Sequence, residues 1–463
     1  MIFKIDPDSV IGLGQYEKPL LAELLQTWEH HRAPNEKKNR YYEGRIPLDE
    51  VNLGIALPEG MQGLEIGCSW GAKCVDVLAA RSMFDGFVGE NGEYVSSLDT
   101  IVRGNSLVAE YPKATRDELK YGCTFATLSR DEDIGCKIRY HSPRTAAARW
   151  NGALGRIDAG FAIIGAAPDE TKKDTWKVDQ VNLYEDDVLW VLRQSDDVWI
   201  ATWYLHPMGR PLMEPMIWNA TSDKPFGRSR IKDPVRRLIQ GYVRTIANAS
   251  IGLEFSTAPQ KYLLGVSDEQ FDALVNHKFA QYVGNILAAT ADPNTGEKPT
   301  FGQLTQGTIT PHVEMLKLLA AQFGAATGLN VTDTGVINDA NPSSADAIQA
   351  ADQTLISMAE ELNRGNGNSL RTIALMAQAV AADTDLDGLT DEQRQIFAHF
   401  RSPSMPSVAA TADAAVKIAA SRQGFAQTDV FLEMLGFDPA DIRRIKAQEQ
   451  RARGLQLITE LEA

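Results

Sequence analysis

The chain reads as a multi-unit α+β protein, with a helical start, a long run of antiparallel strands and a mostly helical remainder. Three observations predict this class. Its 463 residues exceed what one ordinary hydrophobic core organises. From about 121 to 218, β-branched and aromatic runs ("CKIRYH", "RIDAGFAIIG", "DQVNLYEDDVLWVLR", "DVWIATWYLH", "PMIWNA") alternate with polar or glycine breaks. That meander spacing predicts antiparallel sheet and not a doubly wound βαβ series. After "SDKPFGRSRIKDP" the apolar period becomes helical and stays so.

Composition narrows the function. Hydrophobic residues make up 44% and charged residues 23%, the balance of a folded soluble chain. Net charge is −15 and the isoelectric point about 5.0, so no global basic field attracts nucleic acid or anionic membrane. "MIFKIDPDSV" lacks a basic stretch followed by an apolar run, so no signal peptide is expected. No segment approaches the roughly 20 apolar residues of a membrane span. Cys68, Cys74, Cys123 and Cys136 form no C-x-x-C pair and read as reduced thiols packed in the core.

Taken in order, Glu17 to Trp28 is amphipathic and helical, followed by the polar loop "RAPNEKKNRYYEGRIPL". Residues 70–83 read as a helix ending before Asp85-Gly86, and a further helix runs through "SSLDTIVRGNSLVAEY". The Gly-, Pro- and Thr-rich stretch 290–311 reads as loop or short strand. "NRGNGNS", 363–369, reads as a mobile kink cutting an Ala-rich helical stretch, since Gly reaches positive φ freely and Asn tolerates it. The tail from 407 is helical, broken at "LGFDPADI". No fixed-period repeat appears.

Candidate chemistry is sparse. Gly67-Cys68-Ser69-Trp70-Gly71 fits the G-x-S-x-G nucleophile elbow, which would expose Ser69 as an attacking hydroxyl. "LEIGC" equally resembles the glycine turn of a methyltransferase-like αβ unit, and Trp70, Cys74, Val77 and Leu78 sit at plain helical packing spacing. Against the elbow, "ALPEGMQGLEI" is a poor buried strand and no HGGG-type loop follows. Against the methyltransferase turn, residues 72–83 leave room for a helix and no second strand. "DTDLDGLTDEQR" imitates a calcium loop, yet Arg394 occupies the position of the final bidentate carboxylate, so a solvated interhelical loop is expected and no metal site. "WEHHR" offers adjacent histidines that point apart on a helix. No cofactor motif and no catalytic set emerges.

The basic segment 224–244 says more. Lys224, Arg228, Arg230, Lys232, Arg236, Arg237 and Arg244 face one acid, Asp233. On a helix from 231, Ile231, Val235, Leu238, Ile239, Tyr242 and Ile246 form an apolar stripe, with Lys232, Arg236, Arg237, Gln240 and Arg244 opposite. In a chain of net charge −15 this concentration points to a polyanion or an acidic neighbouring subunit.

Several segments, read together, resemble portal proteins of long-tailed, siphovirus-type double-stranded DNA bacteriophages. "YYEGRIPL" is similar to the family's Tyr-rich helix end leading to Gly, and "CSWGAKCVDVLAARSMFDGF" to its Trp-containing helix. "FGRSRIKDPVRRLIQGYVRT" resembles the start of the stem helix, and "EFSTAPQKYLLG" the segment after it. "NPSSADAIQAADQTLISMAEELN" and "FRSPSMPSVAATADAAVKIAA" are similar to a later helix and to a Pro-containing return strand and helix. The order of these segments spans nearly the whole chain, although Met83 and Asp85 stand where the family is usually more apolar.

The resemblance implies a ring of identical subunits, typically dodecameric, at one capsid vertex, through which DNA is packaged and ejected. It implies no enzyme activity, so Ser69 becomes a residue before a packing helix; the αβ enzyme is the alternative. An α/β wing would occupy 1–226 and 384–406, stem helices 227–262 and 343–362, and a clip 263–342. A tunnel loop and helix would occupy 363–383, and a helical crown 407–463. Asn363, Arg364, Gly365, Asn366, Gly367 and Asn368 would form the tunnel loop facing DNA, and Lys232, Arg236, Arg237 and Arg244 the basic stem face. Implied partners are further copies of the chain, double-stranded DNA, the terminase large subunit, major capsid and scaffolding proteins and a head-tail adaptor. The implied location is the virion, and the host cytoplasm during assembly. An acidic balance suits a channel that lets DNA slide.

Overall fold

The structure, a computed structural model, describes residues 5–47, 65–90, 92–168, 176–195, 198–257, 261–264, 300–303, 308–336, 345–404, 408–422, 424–437 and 439–462. In chain order come α1 (Glu17–Glu43), β1 (Arg45–Pro47), β2 (Glu65–Gly67), α2 (Trp70–Ala79), β3 (Phe84–Gly89), α3 (Asp99–Gly104) and α4 (Leu107–Tyr121). Strands β4 (Cys123–Asp131), β5 (Gly135–His141), β6 (Ala146–Asn151), β7 (Arg156–Pro168), β8 (Trp176–Glu185), β9 (Val188–Ser195), β10 (Val198–Leu205) and β11 (Met213–Ile217) follow. Then come α5 (Asp233–Thr257), β12 (Lys261–Leu264), β13 (Thr300–Gln303), α6 (Thr310–Thr327), α7 (Ala345–Ala382), α8 (Asp391–Arg394) and β14 (Ile396–Phe400). The chain ends in α9 (Val408–Ser421), α10 (Asp429–Met434) and α11 (Pro439–Glu462). Helix and antiparallel sheet are mixed as the α+β reading expects. Two compact units result: residues 1–39, 74–230 and 342–463 form one, and residues 40–73 and 231–341 the other.

In the first unit, β6 to β10 make a five-stranded antiparallel meander in sequence order. Its central part is buried on both faces, so those strands read as apolar runs whose alternate residues enter different cores, while Val198, Ile200, Trp203, Tyr204 and Leu205 of β10 are exposed. Trp190, Leu192, Trp199 and Ala201 pack with Leu20, Leu21, Leu24 and Trp28 of α1. Leu189, Val191 and Tyr184 enter a second core with β4, β5 and β11, α4 and the C-terminal half of α7. Strand β14 closes this unit by pairing antiparallel with β3.

The second unit is built on a helix pair. Ile231, Val235, Ile239, Val243 and Ala247 form a buried seam at four-residue spacing, and Leu319, Ala320 and Phe323 of α6 are buried as well. A Cβ on Gly241 would meet the Leu319 side chain at 3.2 Å, so the missing side chain lets the two helices approach closely. Strands β1 and β2 form a short antiparallel ribbon in the same unit.

Four expectations change. The polar loop 32–48 is instead the continuation of α1 to Glu43. Its polar residues find backbone partners: Asn35 Nδ2 donates to the Pro143 carbonyl at 3.4 Å, and Lys38 Nζ to that of Tyr121 at 3.0 Å. The helix through 96–111 is broken at Asn105-Ser106, where Ser106 takes φ +51°. Buried Asn105 donates to the Ile101 and Cys136 carbonyls and accepts from the Ile138 amide, spending the break on β5. The helix expected over 70–83 stops at Ala79.

The fourth change concerns 363–369. The predicted kink and tunnel loop is uninterrupted helix, inside the 38-residue α7. Tertiary contacts there override the poor propensity of Gly and Asn. Of the region read as clip, 265–299, 304–307 and 337–342 lie outside the described residues.

Candidate functional site

The two candidate surfaces are the 363–369 turn of α7 and the basic start of α5. In α7, helical spacing sorts the interleaved residues onto opposite sides. Asn366 is fully buried, and its Nδ2 donates to Glu118 Oε2 at 2.8 Å and to the Tyr111 hydroxyl at 3.0 Å. Asn363 Oδ1 accepts from the Ser82 hydroxyl at 2.6 Å. Ser369 Oγ donates to the Pro215 carbonyl at 2.8 Å. Arg364, Gly365 and Asn368 are exposed, and Gly367 lies against the Phe400 ring. The exposed stripe carrying Arg364 also holds Glu360 and Glu361 one turn earlier. Its charge is therefore mixed, and the six residues do not form one loop surface.

At the start of α5 the basic residues are partly spent locally. Arg236 donates to the Ile231 carbonyl at 2.9 Å and pairs with Asp233. Arg237, 80% exposed, reaches the same carboxylate at 3.8 Å. An acid in the first turn suits the positive helix end, and both arginines close around it. Lys232 precedes the helix and is exposed. Arg244 is half-buried and has no ion pair among the described residues. In the other unit, Arg228 reaches Asp223 at 3.6 Å. Arg230 is buried, bonded to the Cys74 carbonyl and 6.0 Å over the Trp218 ring. Sequence spacing did not separate these anchored arginines from the exposed ones.

The 65–79 segment has the geometry of packing. β2 is three residues long and pairs antiparallel with β1, so no buried parallel strand feeds Ser69. Trp70 is 2% exposed, lies 4.7 Å from both the Tyr242 and Phe323 rings, and donates its indole N–H to the Thr334 carbonyl at 3.1 Å. A Cβ on Gly71 would collide with the Tyr41 carbonyl, so Gly is required for this close approach. Burial pushes the Cys68 thiol up to about 12, which removes it as a nucleophile near neutral pH.

Two histidines, His141 and His399, serve structure. His141 Nε2 lies 3.0 Å from Thr127 Oγ1 as a diagonal cross-strand contact, and burial pushes its pKa down to about 4. His399 Nδ1 lies 2.7 Å from Asp85 Oδ1 and Nε2 lies 3.8 Å from Glu433, joining the β3–β14 ribbon to α10. In the imitation calcium loop, Asp385 accepts from the Gly388 amide at 2.6 Å and Arg394 binds the Asp387 carbonyl. Thr390 and Gln393 form a reciprocal cap on α8. Among the described residues no group of three His, Cys, Asp or Glu side chains is arranged to hold a metal. Among them, too, no helix is long and apolar enough to cross a membrane.

No protein-family model matches the chain. Solved chains from the virion of a native gene transfer agent particle and from the neck of the empty particle are similar at TM-score 0.45, with 12% and 13% identity. Each covers 80% of this chain and 90% of that one. Among curated proteins, the portal protein of Mycobacterium phage D29 is 23% identical over 465 aligned residues, covering 96% of this chain and 92% of its own. The portal protein of Mycobacterium phage L5 matches with the same identity and coverage. Along 96% of its length, then, this chain is similar to two phage portal proteins, of the family that its sequence resembles.

Proposed function

We propose that the chain is the subunit of a portal ring at the capsid vertex, the passage for double-stranded DNA into and out of the head. The observation that carries this reading is the alignment with two portal proteins over 96% of this chain and 92% of theirs. The antiparallel β1–β2 ribbon before Ser69 and the packed Trp70 speak against the αβ enzyme.

In finer detail, the ring is a homododecamer that docks the terminase large subunit, the capsid and scaffolding proteins and a head-tail adaptor. Wing, clip and crown follow the boundaries that the resemblance implies, and the second stem helix and the tunnel helix are one continuous α7. The exposed stripe of α7 with Arg364 and Asn368 faces the channel. One guanidinium per subunit beside Glu360 and Glu361 holds phosphate weakly, which suits sliding DNA. Lys232, Arg237 and Arg244 face an acidic neighbouring subunit. Native mass measurement with negative-stain imaging of the purified chain tests the core of this reading. A ring with a central hole is the expected result, and a compact monomer that never assembles overturns it.

A further inference from the structure

Beneath the Asn-Gly turn of α7 lies a buried carboxyl with no cation beside it. Glu118 of α4 is 0% exposed, and among the described residues no lysine or arginine pairs with it. Its neighbours are Tyr111 and Thr115 of the same helix, Ser82, the thiol of Cys123 on β4, and Asn366 of α7. All are neutral near neutral pH, and burial holds Tyr111 and Cys123 up at about 12. A buried carboxylate without a cation is costly unless its hydrogen bonds compensate.

The hydrogen bonds can be followed donor by donor. Ser82 gives its hydroxyl proton to Asn363 Oδ1, so the 2.6 Å contact between Ser82 and Tyr111 must be donated by Tyr111. The Tyr111 oxygen then accepts from Asn366 Nδ2, whose other proton goes to Glu118 Oε2. Three buried atoms of this group remain without a partner, the Thr115 hydroxyl, Asn366 Oδ1 and Glu118 Oε1. The Thr115 hydroxyl has one proton to give, so at least one of the two oxygens still lacks a donor, and a proton on the carboxyl, one N–H···O contact away from the amide, supplies it. Turning the amide over does not remove the need. Its oxygen would then sit 2.8 Å from Glu118 Oε2, again requiring a proton.

We propose that Glu118 is held as the neutral acid in the folded chain, donating its proton to the Asn366 carbonyl. This carboxyl–amide pair fastens the Asn-Gly turn of α7 to α4 as a lock that loosens when the proton leaves. Independently of that geometry, burial pushes the Glu118 pKa from 4.5 up to about 8. Between these values the folded chain keeps a proton that the unfolded chain releases, so stability falls as pH rises across that window and levels off above it. The inference rests on the first unit alone and holds whether or not the chain forms a ring.

Glu118→Gln tests it, because a glutamine amide presents an N–H where the acid presents its O–H and keeps both contacts with Asn366. Thermal unfolding of the full chain and of this variant is compared from pH 5 to pH 9. The expected result is a wild-type midpoint that falls relative to the variant as pH rises toward about 8. Hydrogen exchange over 363–369, corrected for intrinsic rates, is expected to accelerate above that pH in the wild type only. Parallel pH profiles for the two proteins overturn the proposal. Should Glu118→Gln fail to fold, carboxyl-¹³C-glutamate NMR of the unsubstituted chain decides. One side-chain carboxyl still protonated at pH 6.5 and titrating with the exchange change supports the lock; none overturns it.

Discussion

Trp70 shows how a single side chain settles the reading of its whole segment. Its indole fills the space between Tyr242 and Phe323, and its N–H satisfies the Thr334 carbonyl. Trp70→Ala is expected to cost about 3–5 kcal/mol, the range for emptying a buried large aromatic site. Trp70→Phe keeps most of the packing and leaves one buried carbonyl unpaired, an expected loss of about 1–3 kcal/mol. Denaturant midpoints of the two variants test the order. His399 gives a pH prediction of known sign. Its hydrogen bond with Asp85 raises its pKa above the ordinary 6.5. The protonated imidazole therefore stabilises the fold fully below 6.5, and this contribution fades as pH rises through the raised value. His399→Asn is expected to lower the melting temperature at pH 6 and to approach the wild type at pH 9. A constant difference across that range would assign His399 to packing alone.

At the scale of elements, α7 is the instructive case. Five of the seven residues in 363–369 are Gly or Asn, with weak helix preference, yet Asn366, Asn363 and Ser369 each hold a fixed partner outside the helix. Gly365 has room for a methyl group, its nearest outside atom to a built Cβ being the Ile217 carbonyl oxygen at 4.0 Å. Gly365→Ala is expected to stabilise the chain by about 0.5–1 kcal/mol, since Ala replaces Gly in an exposed helix interior. Gly365→Pro is expected to cost about 3 kcal/mol or more, because it removes an internal hydrogen bond and clashes with the preceding turn. Calorimetry on both variants checks the helix directly; a Pro variant as stable as wild type would restore the kink. Strand periodicity was the more readable signal. In β9 the alternation Leu189, Trp190, Val191, Leu192 divides into two cores, as a sheet covered on both faces requires.

For the whole molecule, Arg237 separates folding from assembly. Arg237 is 80% exposed and its 3.8 Å contact with Asp233 is of the kind that contributes little to folding. Arg237→Glu is therefore expected to shift monomer stability by no more than about 0.5 kcal/mol. If this face meets an acidic neighbour, the same change sets like charges together, a cost of several kcal/mol per contact. Native mass spectrometry of the variant is expected to show fewer complete rings at a melting temperature near that of the wild type. Normal rings would leave Arg237 a solvated side chain. Arg230, by contrast, belongs to folding, since it is buried between the Cys74 carbonyl and the Trp218 ring.

The sequence by itself determined the mixed class, antiparallel strands between about 121 and 218, the burial of Ile231, Val235 and Ile239 and the portal-like order of segments. These are local or periodic properties, written in which residues recur every two or every four positions. The tertiary structure decided whether a weakly biased segment bends or stays helical. Residues 32–43 and 363–369 both read as loops, because their composition is polar or glycine-rich. Both are helical, because Asn35, Lys38, Asn363 and Asn366 spend their polar groups on partners many positions away, which no local pattern encodes. The same distance hid the basic site's division of labour. Arg230, Arg236 and Arg237 look alike in the chain, and only the carbonyls, rings and carboxylates brought beside them separate a buried, anchored arginine from an exposed one.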